Sequence, residues 1–165
     1  MRPAARVVGE SAVTGVEAGP ETAGLARANL AANGFPGARI LQGAVTATET
    51  GEVEFGQRPA FWASALKGAD DWPANARLLR VPALPIGPLL AQVLPTVVCC
   101  DIEGAERAVL AQPLPGVRLV VVEIHPAAYG TSGTKELFDA LSAQGFAYVP
   151  EGSRGATVVF GREPE

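Results

Sequence analysis

Several residue types are scarce in this sequence, and each shortage narrows what the chain can be. Its 165 residues include two cysteines, one histidine, one methionine, two tryptophans and two tyrosines. Cys99 and Cys100 are neighbours, and adjacent residues on an extended strand point to opposite faces, so a disulfide between them is geometrically poor. No C-x-x-C and no Cys/His spacing of a zinc site occurs, and no metal site is assigned. The pair reads as two small hydrophobes in a reduced interior. Basic residues number 13 against 17 acidic ones, giving a formal charge of −4 and a pI near 5.1. The basic footprint of a nucleic-acid binder is therefore lacking. Met1 to Glu10 hold no apolar signal-peptide core. No apolar run approaches the roughly 18–20 residues needed to cross a membrane. The expectation is a soluble, cytoplasmic protein with neither membrane nor nucleic acid as a partner.

What is present is enough for a core. Hydrophobic residues make up 48% of the chain and the mean hydropathy is +0.20, which excludes disorder as the default. The length suits one domain, residues 1–165, with 1–12 expected as an irregular N-terminal remnant. The 19 glycines and 14 prolines are scattered without period, which implies many short connections.

Alternation and punctuation then give an element order. Val13 to Glu17 reads as a short strand. A helix follows over Pro20 to Asn33, with proline at its start, Leu25, Ala28 and Ala32 on one face, and Gly34 at its stop. Arg39 to Gln42 is a second strand, and Glu52 to Phe55 alternates like an exposed one. Residues 61–75, with Trp62 and Trp72, read as a long loop in which the tryptophans serve as a lid or core contact, or stack on a ligand. Arg77 to Val81 is a further strand and Gly87 to Gln92 a short helix. Thr96 to Cys100 is an apolar run that ends in Asp101, and Ala105 to Gln112 is helical. Val117 to Ile124 is apolar on both faces, as a central parallel strand covered on both sides would be. Thr134 to Gln144 is an amphipathic helix with Leu137, Phe138 and Leu141 inward, capped by Thr131 or Ser132. Phe146 to Val149 and Ala156 to Phe160 form a closing antiparallel pair. The fold class expected is an open α/β sheet.

In such sheets ligands bind outside the carboxyl ends of the strands. The first strand ends in Glu17, which could accept hydrogen bonds from a ribose diol or stand as a solvated acid. The Thr96–Cys100 strand runs into Asp101, Ile102, Glu103, Gly104 and Glu106. Asp101 and Glu103 could orient an acceptor hydroxyl, act as a base, ligate a hard cation such as Mg²⁺, or merely cap the next helix. The Val117–Ile124 strand ends in Glu123 and His125, which share a face if the strand persists that far. Glu123 would then fix the tautomer of the only histidine.

The stretch VVCCDIEGAERAVL, Val97 to Leu110, resembles the K-x-D-x-E-G-x-E signature of the FkbM family of S-adenosylmethionine-dependent methyltransferases. VTGVEAGPETAGLARANLAANG, Val13 to Gly34, resembles its second motif, and VVVEIHP, Val120 to Pro126, its E-x-H strand end. The likeness covers most of the chain from Val13 to Gly161. It implies a Rossmann-like class I methyltransferase fold, its sheet mostly parallel with a C-terminal antiparallel pair. Glu17 and Ala18 would lie at the cofactor ribose, Ala44 and Val45 by the adenine, and Asp101 and Glu103 at the methionine end and the acceptor. Asp101 or His125 would serve as the base, with Glu123 beside it. Family members mostly methylate oxygens of sugars, polyketides or similar small metabolites, so the expected partner is a small-molecule or glycan acceptor.

The sequence departs from the family at three places. The lysine two residues before the aspartate is Cys99, which removes a cation beside the carboxylates. The aspartate of a T-L-D segment falls near Gly87. The first strand and its Gly-rich turn have no counterpart, because only Gly9 to Ala12 separate Arg6–Val8 from the next strand and a parallel crossover needs a dozen residues or more. Arg6–Val8 is then a loop, a helix end or an improvised strand. The expectation is an N-terminally shortened member, short by on the order of 30 residues, with open edges beside Val13–Glu17 and Thr96–Cys100. Two other functions fit the residues. One is a catalytically inactive binding or regulatory protein, with a homodimer as a form that would cover the open edge. The other is a Mg²⁺-dependent hydrolase using Asp101, Glu103, Glu123 and His125.

Overall fold

The computed structural model describes residues 1–58, 65–66 and 76–163, so the expected loop around Trp62 and Trp72 lies outside the described residues. The chain gathers into two compact units, residues 1–45 with 50–84 and residues 46–49 with 85–165. Helices and strands are mixed along the chain, alternating from Ile86 to Ala143, and the described strands fall into three sheets.

The first unit opens with helix α1, Arg2–Val8, and a 3-10 turn at Glu10–Ala12. The start of the chain is therefore helical where an irregular remnant was expected. Pro3 sits in the first turn, where its missing N–H costs no hydrogen bond. Strand β1, Thr14–Glu17, crosses through helix α2, Pro20–Ala32, to the parallel strand β2, Arg39–Gln42, in register from Thr14 against Arg39 to Glu17 against Gln42. This βαβ unit was expected, but the buried face of α2 was not: Ala23 and Leu30 are buried, while Leu25 is 62% exposed. A helix so rich in alanine offers little apolar contrast, and the face is set by what it packs on.

The remaining strands of this half are β3, Ala44–Thr46, β4, Glu52–Gln57, β5, Ala65–Leu66, and β6, Arg77–Pro85, in the order β3-β6-β4-β5. Strand β4 runs antiparallel to both of its neighbours. Ala44, Phe55 and Val81 form the core here, with Ala18, Val53 and Leu79 packed against it.

The second unit contains helix α3, Ile86–Val93, strand β7, Val97–Cys100, helix α4, Glu106–Leu110, strand β8, Leu119–Glu123, helix α5, Pro126–Ala143, and strands β9, Ala147–Arg154, and β10, Thr157–Gly161. Their sheet order is β7-β8-β10-β9. β7 and β8 are parallel, whereas β10 lies antiparallel between β8 and β9. The expected closing pair is present, but the sheets are mixed and not mostly parallel. β9 also continues to Arg154, with a register shift opposite Thr157 to Val159, where a loop had been expected.

Val120 and Val122 are fully buried, while Leu119, Val121 and Glu123 on the other face of β8 are only partly covered. Against this sheet α5 buries Leu137 and Leu141 completely, and Phe138 meets Phe160 edge-on with centroids 4.8 Å apart. The inward face expected of this helix is the one observed. It starts earlier, at Pro126, and is interrupted at Gly130, whose φ of 69° breaks the helical path. Among the described residues no helix is long and apolar enough to cross a membrane.

Candidate functional site

The parallel strands β7 and β8 deliver their carboxyl ends side by side, with Cys100 paired to Val122. The chain leaves β7 through a tight turn at Asp101 to Ala105. Glu103 takes the left-handed conformation at φ 55°, and Gly104 follows at φ 109°. A Cβ on Gly104 would stand 2.9 Å from that of Ala128 in the first turn of α5, so the turn and the helix start approach as only glycine allows.

Glu106, the first residue of α4, folds back into this turn. Its side chain has no exposed surface, and its carboxylate accepts the N–H of Ile102 at 3.0 Å and that of Gly104 at 2.9 Å. Capping had been one reading of Asp101 and Glu103, but Ala105 is the N-cap of α4 and offers no side-chain bond. With Glu106 satisfying the turn, Asp101 and Glu103 are released to face outward.

They face His125. This residue precedes α5 at φ −117°, ψ 71°, past the end of β8, and its N–H donates to the Tyr129 hydroxyl at 2.6 Å. Its Nε2 lies 3.5 Å from Glu103 Oε2 and 3.7 Å from Asp101 Oδ1. Its Nδ1 lies 3.0 Å from Glu106 Oε1, at contact distance but off the line of a well-aligned hydrogen bond. The imidazole thus stands among three carboxylates. The expected pairing with Glu123 is not formed: period-2 alternation ends with β8 at Glu123, and the ring turns to Glu106 instead.

Burial pushes the Glu103 carboxyl above its ordinary range. The His125 ring pulls it back, and Asp101, Glu106 and Glu123 push it further up. Burial likewise raises the Tyr129 phenol, and with Glu106 and Asp101 nearby it holds the Cys100 thiol far above the usual thiol range. Cys99, at the lysine position of the resembled motif, is on the exposed face of β7, and both thiols are free.

The other expected residues lie in the first unit. Glu17 ends β1 half-buried, and its Oε1 accepts the N–H of Gly19 at 3.2 Å. The carbonyl of Ala18 accepts from Gln42 Nε2 at 2.8 Å, and the side chain packs on the Ala44 cluster. Ala44 is itself core, 3% exposed, within strand β3, while Val45 is half-buried.

Sequence reasoning missed the roles of Glu106 and Tyr129. Glu106 was visible as the last acid of D-x-E-G-x-E, but nothing local marks a buried carboxylate. A surface cavity of about 600 Å³ lies at the opposite end of β8, beside Leu114, Val117, Gln144 and Arg162. The Arg162 guanidinium there is consumed by the carbonyls of Val117, Gln144 and Leu114. The chain matches no family model, no curated protein and no solved structure.

Proposed function

We propose that this protein is an S-adenosylmethionine-dependent methyltransferase that acts on an oxygen of a small-molecule or glycan acceptor. The observation that carries the reading is the rim at the carboxyl ends of β7 and β8, where Asp101, Glu103 and His125 converge on one solvent-facing point. Ligands of open α/β sheets bind at such ends. The motif resemblance at Val97 to Leu110 supplies the class of chemistry.

Glu17 is the residue that would hold the cofactor ribose. Its Oε1 accepts from Gly19, and among the described residues no donor reaches its second oxygen, which would suit a ribose hydroxyl. The sequence offers no glycine-rich turn for the methionine end. When bound, the cofactor supplies a methyl group on a sulfonium. That methyl would pass to the acceptor oxygen, with the thioether as leaving group, and the chain's own residues would bind, orient and deprotonate the acceptor. The oxygen's proton passes to a base, and this rim provides His125 Nε2 or the Asp101 carboxylate.

Calorimetry with S-adenosylmethionine is the direct test. Saturable binding that is weakened about tenfold or more in Glu17→Ala is expected, consistent with the loss of charge-assisted hydrogen bonds. The absence of heat at millimolar cofactor would end the reading. A second reading, a binding partner without catalysis, is favoured by one observation: among the described residues β1 pairs only with β2, and β7 only with β8. Absence of cofactor binding together with concentration-dependent size in light scattering would favour it.

A further inference from the structure

We infer that Asp101, Glu103 and His125 bind one divalent transition-metal ion, of the kind that accepts imidazole and carboxylate together. One donor atom from each residue lies within 4.8 Å of the other two. His125 Nε2 is 3.5 Å from Glu103 and 3.7 Å from Asp101. These separations are too long for charge-assisted hydrogen bonds, which close to about 2.7–2.9 Å. They match the spacing of neighbouring ligands on a tetrahedral cation, about 3.4 Å for bonds of about 2.1 Å. The two separations from His125 are therefore those of ligands around a common centre, and Asp101 and Glu103 lie within 4.8 Å of each other.

A separate feature points the same way from behind the ring. His125 turns Nδ1 toward a third carboxylate, Glu106, 3.0 Å away and off hydrogen-bond alignment, which is fully buried and fixed by two backbone N–H groups. Metal-ligating histidines commonly direct their other nitrogen at a carboxylate, which sets the ring orientation and leaves the opposite nitrogen's lone pair for the metal. Glu106 holds that position and is not itself among the three outward donors, so it is a positioning residue.

Charge completes the case. Among the described residues the ion pairs of Asp101 and Glu103 are with His125 alone, so no arginine or lysine neutralises them. Asp101 is 57% exposed at the side chain, which gives an ion a path in and leaves coordination positions open to water or an acceptor oxygen. Imidazole beside two carboxylates selects Zn²⁺, Co²⁺ or Mn²⁺ over Mg²⁺ and Ca²⁺, which take oxygen donors. The inference does not depend on methyl transfer: an ion on His125 Nε2 and Asp101 takes the lone pairs offered above as the base, and the site is tested with the metal alone.

The test uses the untagged chain. Because His125 is the only histidine, its ring resonances report on one residue. Zn²⁺ titration is expected to shift them to saturation at one equivalent, and Co²⁺ to give a visible d–d band that Zn²⁺ abolishes. Mg²⁺ at the same concentration should do neither. Asp101→Asn, at an exposed side chain, should fold as the parent by circular dichroism and lose the Co²⁺ band. Glu106→Gln should weaken Zn²⁺ binding by about 10–100-fold, the usual range for such an outer partner. Unmoved histidine resonances in excess Zn²⁺, or Co²⁺ binding that survives Asp101→Asn undiminished, would overturn the inference. Metal binding without S-adenosylmethionine binding would uphold this site while removing the methyltransferase reading.

Discussion

A carboxylate without exposed surface must find donors or give up its charge. Glu106 finds the N–H groups of Ile102 and Gly104 and the edge of the His125 ring. Replacing it with alanine leaves two backbone donors without their acceptor in a half-buried turn. Glu106→Ala is expected to cost about 2–4 kcal/mol, while Glu106→Gln, which keeps one acceptor oxygen, should cost less. Urea unfolding of the two variants checks this, and equal stabilities for alanine, glutamine and parent would remove the structural role. The site was half legible at this scale. Asp101, Glu103 and His125 could be placed on one rim because strand ends locate loops. Glu106 could not, since a charged residue is by default read as solvated. The Glu123–His125 pairing failed because alternation holds only while the chain stays extended, and His125 lies beyond that point.

The turn between β7 and α4 depends on close approach to the first turn of α5. Gly104 has φ 109° and faces Ala128, whereas Gly116, at φ 74°, has open space around it. Gly104→Ala should therefore lose about 2 kcal/mol or more, combining backbone strain with a clash. Gly116→Ala should lose about 1 kcal/mol, from backbone strain alone. Thermal unfolding of both separates the terms, and indistinguishable losses would mean that the contact with Ala128 is relieved at no cost. Elements with strong contrast were readable in advance. Leu137, Phe138 and Leu141 mark the inner side of α5 because polar residues occupy the rest. The face of α2 was misread because alanines dominate on every side. β9 was cut short because Gly152 and Pro150 look like a turn, yet pairing with β10 keeps that stretch extended.

For the second unit taken whole, the sheet order was the least readable feature, since which strands become neighbours is settled by contacts distant in sequence. A single mostly parallel sheet was expected of the chain, and its described strands form three, one of them in this unit. The closing contact of this unit is Arg162. It donates to the carbonyls of Val117 at 2.6 Å, Gln144 at 3.1 Å and Leu114 at 2.5 Å, and it stacks 4.6 Å from the centre of the Phe146 ring. Arg162→Ala is expected to cost about 2–4 kcal/mol from these bonds together. Arg162→Lys should recover little, because an ammonium lacks the planar fork that reaches three carbonyls. Guanidinium denaturation gives the comparison, and full recovery by lysine would show that charge alone matters. The place of β10 between β8 and β9 also bears on how the chain is made. During synthesis at about 5–20 residues per second, β7 and β8 leave the ribosome several seconds before the strand that covers β8. Through that interval the edge of β8 that β10 will cover lacks its hydrogen-bonding partner and stands as a template for another strand.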